Sequence, residues 1–277
     1  MSSVKVAVRV RPFNQREKDM NSECCIEMTD PLTIITDPET GKEKKFTFDY
    51  SYWSHDGYEE KEDGELAAVA AKYATQRDVY ENLGGDILKN AFEGYNSTLF
   101  AYGQTGSGKS YSMVGYGVNK GIIPIVCNEM FLKIEEQKDD KTVNYQVVCT
   151  MLEIYNEQIK DLLNPKVNRP GGLRIRSKPG LGVYVEDLTP CAVQNYEEIA
   201  ARMEDGTTNR TIGATKMNAT SSRAHTVFGI TFTTIKTDPE LGNRSEMAAR
   251  MNLVDLAGSE RASSTGATGD RLKEGCA

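Results

Sequence analysis

Residues 103–110 read Gly103-Gln104-Thr105-Gly106-Ser107-Gly108-Lys109-Ser110 and fit the pattern G-x-x-x-x-G-K-[ST] in full. No other stretch of the chain restricts the fold as tightly. The glycines let backbone N–H groups turn inward around phosphate oxygens. Lys109 can reach β- and γ-phosphates, and the Ser110 hydroxyl can ligate Mg²⁺. Such a loop needs a strand before it and a helix after it. Residues 97–102 are a short apolar run that reads as a buried strand, and a helix can follow Ser110. This context argues against a chance glycine-rich turn.

The rest of the chain interleaves strand and helix signals. Residues 4–11 alternate with period two until Pro12 stops them. Residues 33–50 hold two strand-like runs around the turn Asp37-Pro38-Glu39-Thr40-Gly41. Val79, Leu83, Ile87, Ala91 and Phe92 recur at helical spacing, and Gly94 ends that pattern. Pro124 suits the opening turn of a further helix. Residues 143–155, 225–237 and 251–256 read as strands. Residues 173–176 and 183–185 flank Pro179-Gly180-Leu181-Gly182 as a hairpin, and residues 195–205 read as a helix. Residues 54–65 are polar, acidic and glycine-interrupted, and read as an exposed loop. The class is therefore α/β, with a mostly buried central sheet.

Composition excludes several alternatives. The 277 residues carry 33 Lys and Arg against 40 Asp and Glu, a net charge of -7. A general nucleic-acid binder would be basic. Much of the acidity is local, in Asp56, Glu59, Glu60, Glu62, Asp63 and Glu65, so a cationic face elsewhere remains compatible with the total. Six cysteines without a CxxC, and only two histidines, suggest neither a zinc site nor a disulfide framework. No run reaches the roughly 18 apolar residues of a membrane span, and the N-terminus shows no secretory signal.

Two further segments carry chemistry. Asp255-Leu256-Ala257-Gly258 closes an apolar strand. An Asp there can hold the Mg²⁺ shell, and the Gly258 amide can report a γ-phosphate. Alone it would be a strand-end Asp in a turn; beside a full phosphate loop, the sensor reading is favoured. Asn218-Ala219-Thr220-Ser221-Ser222-Arg223-Ala224-His225 clusters hydroxyls and an Arg before a strand. Taken alone, it is a polar loop.

Together the three segments, with Ser259 and Glu260, resemble the P-loop, switch I and switch II of kinesin motor domains. Val8-Arg9-Val10-Arg11-Pro12, Phe100-Ala101-Tyr102-Gly103 and Glu153-Ile154-Tyr155-Asn156-Glu157 match the same family. Residues 48–54 and 184–188 look like its kinesin-three subfamily of cargo transporters. The resemblance covers residues 4–277. It implies one partial motor domain over 1–277: a P-loop NTPase-type, twisted, mostly parallel central sheet flanked by helices, without the family's C-terminal helices.

The resemblance also implies roles. Arg9, Arg11 and Pro12 would border the adenine and Tyr73 would stack on it. Residues 103–110 and Asn218 would line the nucleotide. Ser110, Ser222 and Asp255 would form the Mg²⁺ site. Ser221, Ser222, Arg223, Gly258 and Glu260 would serve hydrolysis, with an Arg223–Glu260 bridge when both switches close. Arg174, Arg176, Lys178, Arg271 and Lys273 would face tubulin. The implied ligands are ATP and Mg²⁺, the partner a microtubule, and the location the cytoplasmic cytoskeleton.

The sequence departs from the family at Ala224, where Ser is usual, and in residues 54–71, which look longer than usual. It ends where the switch II helix would begin, so the expected product is an incomplete domain. A nucleotide-gated, non-motile microtubule binder is the alternative. A GTPase is disfavoured because Asn119-Lys120 continues as Gly121-Ile122 rather than N-K-x-D. A myosin is disfavoured by Ser259, where that family has Phe.

Overall fold

Three long strands, Val143–Tyr155, His225–Thr237 and Arg244–Asp255, form the middle of the central sheet. In Val143–Tyr155 and His225–Thr237 the alternation of buried and half-buried positions is the period-two signature of strands. The computed structural model describes residues 4–180, 182–216 and 223–260, with only the backbone for 213–216. The chain forms two compact units: Met1–Val79 with Tyr116–Asn119, and Tyr80–Gly115 with Lys120–Ala277.

In the larger unit the strand order is Gln158–Asp161, Val143–Tyr155, His225–Thr237, Arg244–Asp255, Ser97–Ala101, and Cys191–Val193 also pairs with Val143–Tyr155. The sheet is mixed rather than mostly parallel. Among the described residues of this sheet, only Arg244–Asp255 and Ser97–Ala101 run parallel, and its other pairings are antiparallel. The reason is local. The six residues 238–243 allow a tight return between two long strands but no crossover. Asp238 closes that return by accepting the N–H groups of Glu240 and Leu241 at 2.8 and 2.9 Å.

Phe228, Ile230, Phe232, Met251 and Leu253 of these strands are buried, as are Leu88, Val126, Met130 and Ile199 of the helices. Burying each such side chain contributes roughly 1.5–3 kcal/mol. The longer helices are Gly85–Phe92, preceded by the wider turn Tyr80–Gly84, Ile122–Glu136 and Tyr196–Lys216. The last runs eleven residues beyond the expected end at 205. Gly206 and the threonines after it have low intrinsic helix propensity, but tertiary packing overrides it. A Cβ at Gly206 would collide with the Met151 side chain. The Thr207 and Thr211 hydroxyls bond back to Met203 O and Thr207 O at 2.8 and 3.0 Å, inside the helix.

The Ser97–Ala101 strand is present but not buried. Phe100 and Tyr102 are 61% and 77% exposed. Among the described residues this strand pairs on one side only, with Arg244–Asp255.

In the smaller unit Ala7–Val10 pairs in parallel with Tyr50–Trp53, and Ile26–Thr29, Leu32–Thr36 and Glu43–Thr47 form an antiparallel sheet. The acidic segment is more ordered than a loop. Tyr58–Glu60 pairs with Leu66–Ala68 as a hairpin. Asn119 holds its turn, donating to Gly64 O at 2.8 Å and accepting from Leu66 N–H at 3.0 Å. No local signal marks a tether 53 residues away in sequence.

Candidate active site

The phosphate loop leaves the carboxyl end of Ser97–Ala101, and Asp255 stands opposite Ala101 on the parallel neighbour. Carboxyl ends of adjacent parallel strands are where open α/β sheets place their ligands. Gly108 has φ 95°, which a side chain would strain, and it leads into the helix Lys109–Met113. A Cβ at Gly103 would lie 2.6 Å from Ser107 Oγ. The motif's spacing thus reflects both backbone curvature and crowding. Lys109 Nζ donates to Gly103 O at 2.7 Å and Gln104 O at 2.9 Å, so the cation is held at the mouth of its own loop.

Ser110 Oγ donates to Asp255 Oδ2 at 2.5 Å. Asp255 is 6% exposed, and its Oδ1 is buried without a hydrogen-bond partner among the described residues. A buried carboxylate with an unsatisfied oxygen is costly by itself. Next to a serine hydroxyl, it is a fitting donor set for a hard divalent cation.

Residues 256–260 are tied to this centre. Leu256 N–H donates to Ala101 O at 3.2 Å, and Ser259 N–H to Gly103 O at 3.1 Å. Ala257 N–H donates to His225 Nδ1 at 3.0 Å, which places the proton of a neutral His225 ring on Nε2. Glu260 reaches the loop itself: it accepts from Thr105 N–H at 2.9 Å and from the Thr105 hydroxyl at 2.5 Å. The hydroxyl bond first, then the amide, hold the Glu260 carboxyl below its usual range against the opposing effect of burial. Gly258 lies under this contact, where a Cβ would collide with Glu260 and with Thr105 Oγ1. The sequence marked Thr105 only as a loop position and gave no role to the His225 ring.

The structure brings Gly103, Gln104, Thr105, Lys109, Ser110, Asp255, Gly258 and Glu260 together. Arg223 is half-buried just before the strand His225–Thr237. Asn218, Ser221, Ser222, Arg271 and Lys273 lie outside the described residues. Both Glu260 oxygens engage Thr105 here, so the expected Arg223 bridge would have to use their remaining lone pairs or replace those bonds.

The expected base-side residues sit in the smaller unit. Arg9 Nε donates to Ser54 Oγ at 2.9 Å, and Arg9 NH1 to Gln76 Oε1 at 2.6 Å. Gln76 Nε2 in turn donates to Asn119 O at 3.3 Å. Arg11 grips Glu17 with two bonds of 2.7 Å and donates to Pro12 O at 2.7 Å. The Arg11 guanidinium pulls the Glu17 carboxyl down to about 2. Tyr73 does not match its expected role. Bridged to Trp53 and packed 5.2 Å from the Tyr58 ring, it is 6% exposed and offers no open face for stacking.

The hairpin of Ile175–Lys178 and Gly182–Val185 carries Arg176 and Lys178, with Arg174 just before it. Arg176 is paired with Glu186 at 3.1 Å and Arg169 with Asp187 at 3.1 Å. Arg176 therefore does not present an uncompensated charge.

A phosphate loop on one strand end and a carboxylate on the next define a nucleoside-triphosphate site of the P-loop class. The family follows from comparison. The Kinesin motor domain family matches residues 9–277, and the chain belongs to that family. It is 49% identical to Kinesin-related protein 1 of Dictyostelium discoideum, over 99% of this chain and 12% of that protein. It is 49% identical to Kinesin-like protein KIF1A of Rattus norvegicus, over 99% of this chain and 16% of the relative. The chain thus spans under a fifth of these relatives' length. Among solved structures, KIF14 bound to ADP in complex with a microtubule superposes with TM-score 0.85 at 41% identity, covering 99% of this chain and 74% of that one.

Proposed function

We propose that this chain is an ATP-hydrolysing microtubule motor domain, partial over 1–277, whose ATPase is stimulated by microtubules. The observation that carries the reading is the Ser110–Asp255 pair, with its unsatisfied buried oxygen, beside a complete phosphate loop. The known partners of its relatives support the rest: KIF14 has been solved on a microtubule with ADP and with AMP-PNP.

In this reading the loop amides of 103–108 cradle phosphate oxygens, and Lys109 exchanges its two loop carbonyls for β- and γ-oxygens. Ser110 and Asp255 would hold Mg²⁺, with Ser222 as the resemblance assigns. When bound, the ion neutralises charge on the phosphoryl group being transferred. The Gly258 amide reads the γ-phosphate. Glu260, an acceptor with its carboxyl held ionised, orients the attacking water and helps move its proton once its Thr105 bonds give way to Arg223. Positioning and electrostatics are the main work the chain does in such a reaction. Arg174, Lys178, Arg271 and Lys273 would attract acidic tubulin despite the net charge of -7, and the proposed location is the cytoskeletal microtubule.

The test is ATP turnover by the chain with and without microtubules. Stimulation is expected, and is expected to vanish in Arg223→Ala. Equal turnover with and without microtubules, in a chain that binds ATP, would overturn the motor reading.

A further inference from the structure

A polar row crosses three strands of the central sheet. Glu153 stands opposite Thr226, and Thr226 opposite Asp255. Directly opposed residues of antiparallel strands share a face, with Cβ atoms about 4.5–5.5 Å apart. Thr226 therefore sits beside Asp255 on the face where Asp255 meets Ser110.

Thr226 is 7% exposed, and its Oγ1 is buried without a hydrogen-bond partner among the described residues; the same holds for Asp255 Oδ1. Each orphan of this kind is costly unless something satisfies it. Two on neighbouring side chains call for one shared solution. The other neighbour does not supply it: Glu153 faces Arg210 at 3.9 Å. A valine would fill the same space as Thr226 without the cost, so the hydroxyl needs a reason.

We propose that Thr226 is a positioning residue of the cation–nucleotide site. Its hydroxyl and Asp255 Oδ1 share one ordered water, which fixes the carboxylate so that Oδ2 stays on Ser110. The hydroxyl donates to the water and the water donates to Oδ1. Both orphans are satisfied and Asp255 keeps its charge directed at the cation. The inference rests on the reading of Ser110 and Asp255 as a Mg²⁺ site.

The test uses Mn²⁺ as the probe, titrated by electron paramagnetic resonance into the ADP-loaded chain, for the parent, Thr226→Val and Thr226→Ser. A second readout is the melting temperature in EDTA without nucleotide. Thr226→Val is expected to bind Mn²⁺ about tenfold more weakly, to melt no lower in EDTA, and Thr226→Ser to restore the affinity. Parent-like Mn²⁺ binding by Thr226→Val, or a Thr226→Ser as weak as the valine variant, would overturn the proposal. Should Thr226→Val not fold, Thr226→Ala against Thr226→Ser gives the same contrast. A parent that binds ADP but no Mn²⁺ would instead sink the cation-site reading itself, and this inference with it.

Discussion

The phosphate side and the expected base side are built in opposite ways. Residues 103–110 and 255–260 come from two neighbouring strand ends, and several of their groups hold one another: Lys109 its own loop, Ser110 one oxygen of Asp255, Thr105 the Glu260 carboxylate. The Lys109 and Ser110 bonds are exchangeable, because a phosphate or a cation offers Lys109 and Asp255 a charged partner. On the base side Arg9 binds Ser54 and Gln76, Arg11 binds Glu17 in bidentate fashion, and Tyr73 is covered. Those groups hold their unit together. The contrast teaches that one motif can be machinery while another from the same family is framework.

Variants should separate the two. Lys109→Ala is expected to lower ATP turnover at least about a hundredfold, since it removes a principal phosphate cation, with the melting temperature of the ligand-free chain unchanged. Gly258→Ala presses a methyl group into the Glu260–Thr105 contact. Displacements near 1 Å cost about a hundredfold in rate, so turnover should fall by about that factor while ATP binding, read by calorimetry, persists. Arg9→Ala should show the reverse pattern. It removes the bonds to Gln76 Oε1 and Ser54 Oγ, costing about 1–3 kcal/mol in denaturant unfolding, with ATP affinity down less than about tenfold. If Arg9→Ala abolished binding and left stability untouched, the contrast would collapse.

The smallest effect is a pH dependence at Arg11–Glu17. Glu17 is lowered from 4.5 to about 2, chiefly by its bond to Arg11. A depressed carboxyl stabilises the fold above its unfolded value, and that contribution is lost as pH falls from about 4.5 towards about 2. The pair is half-exposed, so the change is modest. Unfolding midpoints for parent and Glu17→Gln should converge across that window and differ above it.

The phosphate loop, Asp255 and the strand His225–Thr237 were legible because each is written in contiguous residues: glycine spacing, a strand-end carboxylate, period-two alternation. What was not legible depends on partners distant in sequence. Sheet direction turned on the short return at 238–243, not on the motif that suggested a parallel sheet. The helix Tyr196–Lys216 outran its signal because Gly206 is there to clear Met151. The tether of Asn119 to the acidic hairpin, the Gln76 grip on Arg9 and the Thr226–Asp255 neighbourhood join residues 29 to 67 apart. No local pattern announces them.

The most direct measurement is ATP affinity by calorimetry, with Mg²⁺ and in EDTA, for the parent and Asp255→Ala. The parent should bind more tightly with Mg²⁺, and Asp255→Ala should lose that gain while matching the parent in EDTA. An Asp255→Ala chain that kept the full Mg²⁺ dependence would contradict the assignment of the strand-end carboxylate to the cation.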